Sequence, residues 1–517
     1  MLENANKTTQ DNLTRIDENI KVTGGIWFGN GDNQVKIIAD GGSCTGVLFS
    51  GVDTLTFKPT KIVNTQTYAA WFCNIRKLLI ENVEVYIPDI PDGVAAHNQD
   101  GIHIQGPSSN ITIQNCILKA HDNVIALNAD DVAQGTYSTT GDITDVFIDN
   151  IHFNETYQGM LLLSGVSKLD RVRIGNITGS ARYLVRLWTW NLGVGNYGDI
   201  TIENINIDWD EDQTPNSYRN GLIAAEGLID TLRLKNIKIG KGSGVGYNHA
   251  IDIVKQFVSQ TIINNLIVDG FESNTVTGDS TFFIPSFVYG SEATIHALNI
   301  NNVKSKYCTS NNGVIPLQLV SCNVDTITMG NFDVTNAKNG ALYITSGTIG
   351  KVVYDKVILD SSSKNNIYAN GTNVGDIKVS NSLDVKLINR PTTNGGLSST
   401  IGKYTSDYVY RQTSLPLDSY WYKGALIYND TPVAGGYIGW VCTDQGYCFK
   451  SVWAPSTAYA VGDIIKAGSG LFMCKIAGIS GATMPSTWSG DSADGTVTWT
   501  FYGTAIATFK GFGLIQA

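Results

Sequence analysis

The chain has 517 residues, a formal net charge of −10, 54 glycines, 23 tyrosines and only 16% charged residues. With few Ala/Glu/Leu/Lys runs and no Lys/Arg cluster, this composition argues against long helices and against nucleic acid as a partner, and points to β structure. No apolar run is long enough to cross a membrane as a helix, and the opening MLENANKTTQDNLTRIDEN has neither the basic n-region nor the apolar h-region of a secretion signal.

Residues 1–18 are polar and read as a frayed lead-in or a cut end. A strand and glycine turns follow in NIKVTGGIWFGNGDNQ. From there, phrases such as LLIEN, ITIQN, VFIDN, VRIGN, ITIEN and LRLKN recur at intervals of 24 to 37 residues, and each is an alternating apolar strand closed by a polar residue. The closing residues are Asn82, Asn115, Asn150, Asn176, Asn204, Asn236, Asn265, Asn302, Asn331, Asp355 and Asn381. Each phrase has a companion strand upstream, among them YAAWFCN, DGIHI, VIALN, GMLLLSG, YLVRLW and GLIAAEG. Short strands at a fixed period with no helix between them predict an all-β solenoid, a parallel β-helix over 19–390 with its apolar positions stacked inside. The asparagines are expected to be structural, bonding their own backbone or stacking from rung to rung.

Alternation places His103, Ala126, Leu162, Arg186 with Trp188, Glu226 and Asp252 on the outward face of the companion strands, as one polar groove flanked by aromatic rings. The pattern fades in NRPTTNGGLSST, so 391–410 reads as a linker. Beyond it, 411–517 carries five of the ten tryptophans and reads as a small β module. The eight cysteines are scattered and read mostly as buried thiols, with Cys442 and Cys448 as the one close pair where a disulfide is possible.

The likeliest chemistry lies in NQDGIHIQGPSSNITIQNCILKAHDNVIALNADD, residues 98–131. Asp100 and Asp122 each open a short strand and are expected on neighbouring rungs of one face, about 4.8 Å apart along the stack. That suits paired acid and base work. His103, one strand position away, is a natural sugar hydrogen-bonder or proton shuttle. Asp130 and Asp131 either supply a further carboxylate or cap a turn; their oxygens suit calcium, but the spacing is that of no known loop, and no metal or cofactor is assigned. Glu155, on a loop, and Glu226, on the outward column, are the outlying carboxylates. Arg186 has a fork suited to an acidic sugar. Tyr157, Tyr183, Trp188 and Trp190 offer planes for sugar rings or simply cover the helix.

IKVTGGIWFGNG, NQDGIHI and HDNVIALN resemble, in order and spacing, the pectin-degrading polygalacturonases and the bacteriophage tailspike depolymerases built on the same right-handed β-helix. SVWAPSTAYAVGDIIKAGSGLFMCKIA resembles small chitin-type carbohydrate-binding modules, which also occur at tailspike C-termini. The resemblance matches Asp100 to the family's Asn-x-Asp acid and Asp122 to the first of two adjacent aspartates. Asn123 replaces the second, GMLLLSG stands where Gly-His-Gly belongs, and YLVRLW has an arginine but no Arg-x-Lys pair. The combination implies a homotrimeric tailspike on the virion, joined to the phage tail or baseplate through a missing N-terminal region. It would bind and hydrolyse a capsular or lipopolysaccharide glycan at the outer surface of the bacterial host. A lyase using Arg186 and Arg182 to neutralise a uronate, or a non-catalytic receptor-binding fibre, are the competing expectations.

Overall fold

The structure is a computed structural model. It describes residues 2–31, 45–88, 98–131, 136–189, 193–209, 221–240, 249–255, 258–274, 286–306, 315–334, 340–359, 366–382, 385–390, 400–406, 410–417, 420–486 and 490–516. The chain divides into two compact units, Met1–Asn339 with Leu359–Lys364, and Gly340–Ile358 with Asn365–Ala517.

The first unit is a right-handed parallel β-helix. Its strands form because Ile, Val and Leu alternate with polar residues, so every second side chain turns into the lumen. Register then stacks like on like: Ile80, Ile113, Ile148, Ile174, Ile202 and Leu234 follow one another on six successive rungs. All six are buried. Burying each such side chain contributes about 1.5–3 kcal/mol.

The asparagine phrases mark corners rather than strand ends. Asn82, Asn115, Asn150, Asn176, Asn204 and Asn236 sit at φ between 50° and 58°. This left-handed conformation is one that Asn tolerates and branched residues resist. Each corner side chain is free to bond the rung before it. Asn150 Nδ2 donates to Asn115 Oδ1 at 2.7 Å, Asn236 to Asn204 at 3.1 Å, and Asn176 to Asp149 at 2.6 Å. Two corners differ from the sequence reading. Gly270 (φ 83°), not Asn265, turns one rung, and Lys356 (φ 52°), not Asp355, turns another. A glycine meets the same backbone demand without a Cβ, so the apolar pattern alone misplaces that corner by several residues.

The N-terminal segment is not frayed. Leu2–Glu3 pairs in parallel with Val47–Leu48. Asn4 exchanges two bonds of 2.9 Å with the Ser50 backbone, and Arg15 donates to the carbonyls of Asn74 and Pro107, both at 3.0 Å.

In the second unit, parallel pairing joins Leu342–Val357, Asn366–Asn370, Asn373–Ser380, Lys386–Arg390 and Thr400–Ser406. Strand pairing therefore continues into the stretch expected to be a linker. The rest forms small sheets, the largest built from Ser451–Val452, Ile464–Ala467, Gly470–Ile476, Asp491–Asp494 and Val497–Gly503. The aromatic residues of the chitin-type motif serve its core. Trp453 and Trp499 both donate their indole N–H to Asp494 Oδ2, at 2.8 and 3.1 Å, and Tyr459 is buried edge-on against Trp499. Cys442 and Cys448 are free buried thiols, not a disulfide.

Candidate active site

The companion strands Ile102–Gln105, Asn123–Asn128, the end of Ile143–Leu163 and the end of Leu169–Trp188 lie side by side in parallel. Register decides which side chains meet. Ile102 pairs with Ile125, so Asp100 is level with Asn123, and Asp122 with Gln99. The two aspartates are thus offset by one residue, with the Asn123 amide between them.

That amide organises the site. Asn123 Nδ2 donates to Asp100 Oδ1 at 3.0 Å and to Asp122 Oδ1 at 3.1 Å. Two oxygens this close to one nitrogen are no more than about 6 Å apart, so both carboxyls can reach one glycosidic bond. Asp100 Oδ1 also accepts the backbone N–H of Asn123 at 2.9 Å, and its Oδ2 lies 2.6 Å from His103 Nδ1. Asp122 Oδ1 accepts a second bond from Gln158 Nε2 at 2.9 Å.

The environments of the two carboxyls differ. Asp100 is buried, whereas Asp122 stays partly exposed. Burial, then the nearby Asp100 charge, pushes Asp122 up to about 8, against the opposing pull of Arg186. Asp122 is therefore the carboxyl of the pair that holds its proton to higher pH, beside a carboxyl that accepts three hydrogen bonds. That pairing suits proton donation to a leaving oxygen.

Residues 16–209 match the family model of glycosyl hydrolases family 28. No curated protein matches the chain. The glycosyl hydrolases family 28 match covers every rung of this site and supports, in general terms, hydrolysis of a polysaccharide.

The other expected residues distribute unevenly. His103 is on the outward face but is roofed by Tyr68, whose ring stacks on it at 4.0 Å; it orients Asp100 and is closed to a sugar. Leu161, not Leu162, follows Ala126 on the outward column, and Ala224, not Glu226, follows Arg186. Glu226, two residues on from Ala224, is kept from the groove by burial. It lies past the end of Ile223–Ala225, fully buried, accepting bonds from the Thr189 N–H and hydroxyl, both at 3.3 Å. Glu155 is exposed at a left-handed corner (φ 51°), where a register shift bends the strand.

Asp130 caps a turn: its Oδ2 accepts the N–H groups of Gly165, Val166 and Ser167 at 2.7–2.8 Å, and Oδ1 accepts the Ser167 hydroxyl at 2.6 Å. Asp131 contributes through its backbone carbonyl, which accepts from Gln105 Nε2 at 2.8 Å. Arg186 is buried, with its guanidinium 3.3 Å from the Tyr183 ring centre and 4.9 Å from that of Trp188. Trp188 packs with Ala126, Leu161 and Leu163, so this stretch of the outward face is an apolar patch. The Tyr157 side chain and Trp190 lie outside the described residues.

Sequence reading missed Tyr68, Gln158 and the bridging role of Asn123. Asn123 was visible only as a departure from an Asp-Asp pair. Gln158 lies 36 residues from Asp122, and nothing but the register brings it there.

Proposed function

We propose that the chain is a polysaccharide depolymerase that hydrolyses glycosidic bonds within a bacterial surface glycan, with Asp122 as general acid and Asp100 as the partner that activates water. The observation that carries this reading is the pair Asp100 and Asp122 bridged by the Asn123 amide, with burial and the Asp100 charge raising the pKa of Asp122. Asp122 donates its proton to the leaving oxygen as the bond to the anomeric carbon breaks. Asp100, positioned by His103 Nδ1 and the Asn123 backbone N–H, takes a proton from the incoming water. Asn123 in place of a second aspartate leaves two carboxyls where polygalacturonases use three, which favours a glycan other than galacturonan.

The setting we propose is a bacteriophage tailspike: a homotrimer on the virion, attached to the phage tail and acting at the outer surface of the host on capsular or lipopolysaccharide chains. The β-helix, the C-terminal β sheets and the altered catalytic set support it. A lyase is less well supported, because Arg186 and Arg182 are both buried and stacked on Tyr183 rather than open to a uronate carboxylate.

A panel of purified bacterial capsules and lipopolysaccharides, assayed together for reducing ends and ultraviolet absorbance, tests the reading with wild type, Asp100→Asn and Asp122→Asn. New reducing ends without absorbance, lost in both folded variants, are the expected result. Absorbing products would establish a lyase, and binding without cleavage a receptor-binding fibre.

A further inference from the structure

A second polar cluster lies further along the same face, in rungs beyond residue 209, where the similarity to glycosyl hydrolases family 28 ends. Asn123, Gln158 and Tyr183 occupy equivalent positions on successive rungs, two residues ahead of the paired Ile125, Met160 and Val185. Val185 pairs with Ile223 and Ile223 with Ile251, so the same column continues through Gly221 to His249. His249 is therefore four rungs from Asn123, or about 19 Å at the spacing of parallel strands.

His249 lies flat against Tyr289, with ring centres 4.0 Å apart and planes 6° from parallel. Asp252 is in register with Tyr289, and Tyr289 with Gln318, whose Oε1 accepts the Ser286 hydroxyl at 2.9 Å. Both rings are only partly covered, while the column between, at Tyr183 and Gly221, is closed. Burial pulls His249 down to about 4, so its imidazole is neutral at neutral pH and offers one donor and one acceptor. Its Nδ1 is buried and has no hydrogen-bond partner among the described residues.

We propose that His249 and Tyr289 form a distal sugar-binding subsite, which holds the same glycan chain several sugar units away from the bond cleaved between Asp100 and Asp122. The inference rests on the reading of the site as a polysaccharide hydrolase. A sugar ring lies against the half-exposed edge of the stacked pair, where the neutral imidazole and the half-exposed Gln318 side chain are suited to its hydroxyls. An extended chain spanning both places makes the enzyme favour long glycans and sets a minimum length for efficient cleavage.

The test uses the full-length protein and a polysaccharide that wild type cleaves, together with size-fractionated oligosaccharides made from it. His249→Phe keeps the stack on Tyr289 and removes both nitrogens; Tyr289→Ala removes the stack. Both are expected to raise KM for the polymer about five- to tenfold, the ratio for losing a hydrogen bond or two. In both, kcat for oligosaccharides too short to reach the subsite stays unchanged. Binding of the same polymer to Asp122→Asn, with and without His249→Phe, reads the subsite without catalysis. Unaltered KM and binding in folded His249→Phe would overturn the subsite and leave the hydrolase reading standing. If Asp100→Asn and Asp122→Asn cleave as wild type does while His249→Phe still weakens binding, the catalytic assignment fails and the subsite stands.

Discussion

Replacing Asp122 by asparagine separates two consequences of keeping a neutral carboxyl in the groove. The amide has the shape of a protonated carboxyl, and its oxygen can accept the bonds that Oδ1 now takes from Asn123 and Gln158. Catalysis loses its proton donor, and the expected fall in kcat is about a thousandfold. Stability moves the other way. The folded carboxyl holds its proton to about pH 8, whereas the ordinary value is 3.8. Between those limits the folded state keeps a proton that the unfolded chain has released. Stability from this group is therefore fully present below about pH 4, declines as pH rises towards 8, and is constant above it. The linkage is worth about 1 kcal/mol per pH unit across the interval. Groove water screens this partly exposed carboxyl, so the expected net difference is about 2–3 kcal/mol at pH 8. Melting temperatures of wild type and Asp122→Asn, taken from pH 4.5 to 8.5, should coincide at the acid end and separate as pH rises, with the inactive variant several degrees higher at pH 8. A gap that does not depend on pH, or a variant that melts lower at pH 8, would refute a protonated Asp122.

Asn123→Asp places a third carboxylate beside Asp122; repulsion should push the acid's pKa higher still and move the alkaline limb of kcat above pH 8, as read from a pH–rate profile. Asn150→Ala removes both the corner's tolerance for a positive φ and the bond to Asn115, with an expected loss of about 1–2 kcal/mol in denaturant unfolding, whereas Asn150→Gly relieves the backbone strain and recovers part of it. Ile174→Ala opens a cavity in the middle of the lumen stack and should cost about 2–4 kcal/mol, read from the unfolding midpoint at unchanged activity per folded molecule. Reducing agent should leave the melting temperature unchanged, because Cys442 and Cys448 are free thiols.

The strand repeat, the lumen-facing residues and all the corners but those read at Asn265 and Asp355 were legible in the sequence, because alternation and a polar corner repeat once per turn and each is a local demand. The placement of Asp100, Asp122 and His103 on neighbouring rungs was legible for the same reason: they open or lie within strands of that repeat. Register was not. A parallel pairing is set by the length of every intervening loop, so a slip of one residue exchanges Leu162 for Leu161 on the outward face, and a slip of two exchanges Glu226 for Ala224. The same offset puts Asn123, rather than Asp122, level with Asp100. Which carboxyl stays protonated was decided there as well. A carboxyl's charge depends on what the neighbouring rungs bring against it, and Arg186 and Gln158 reach Asp122 only once the chain has wound around.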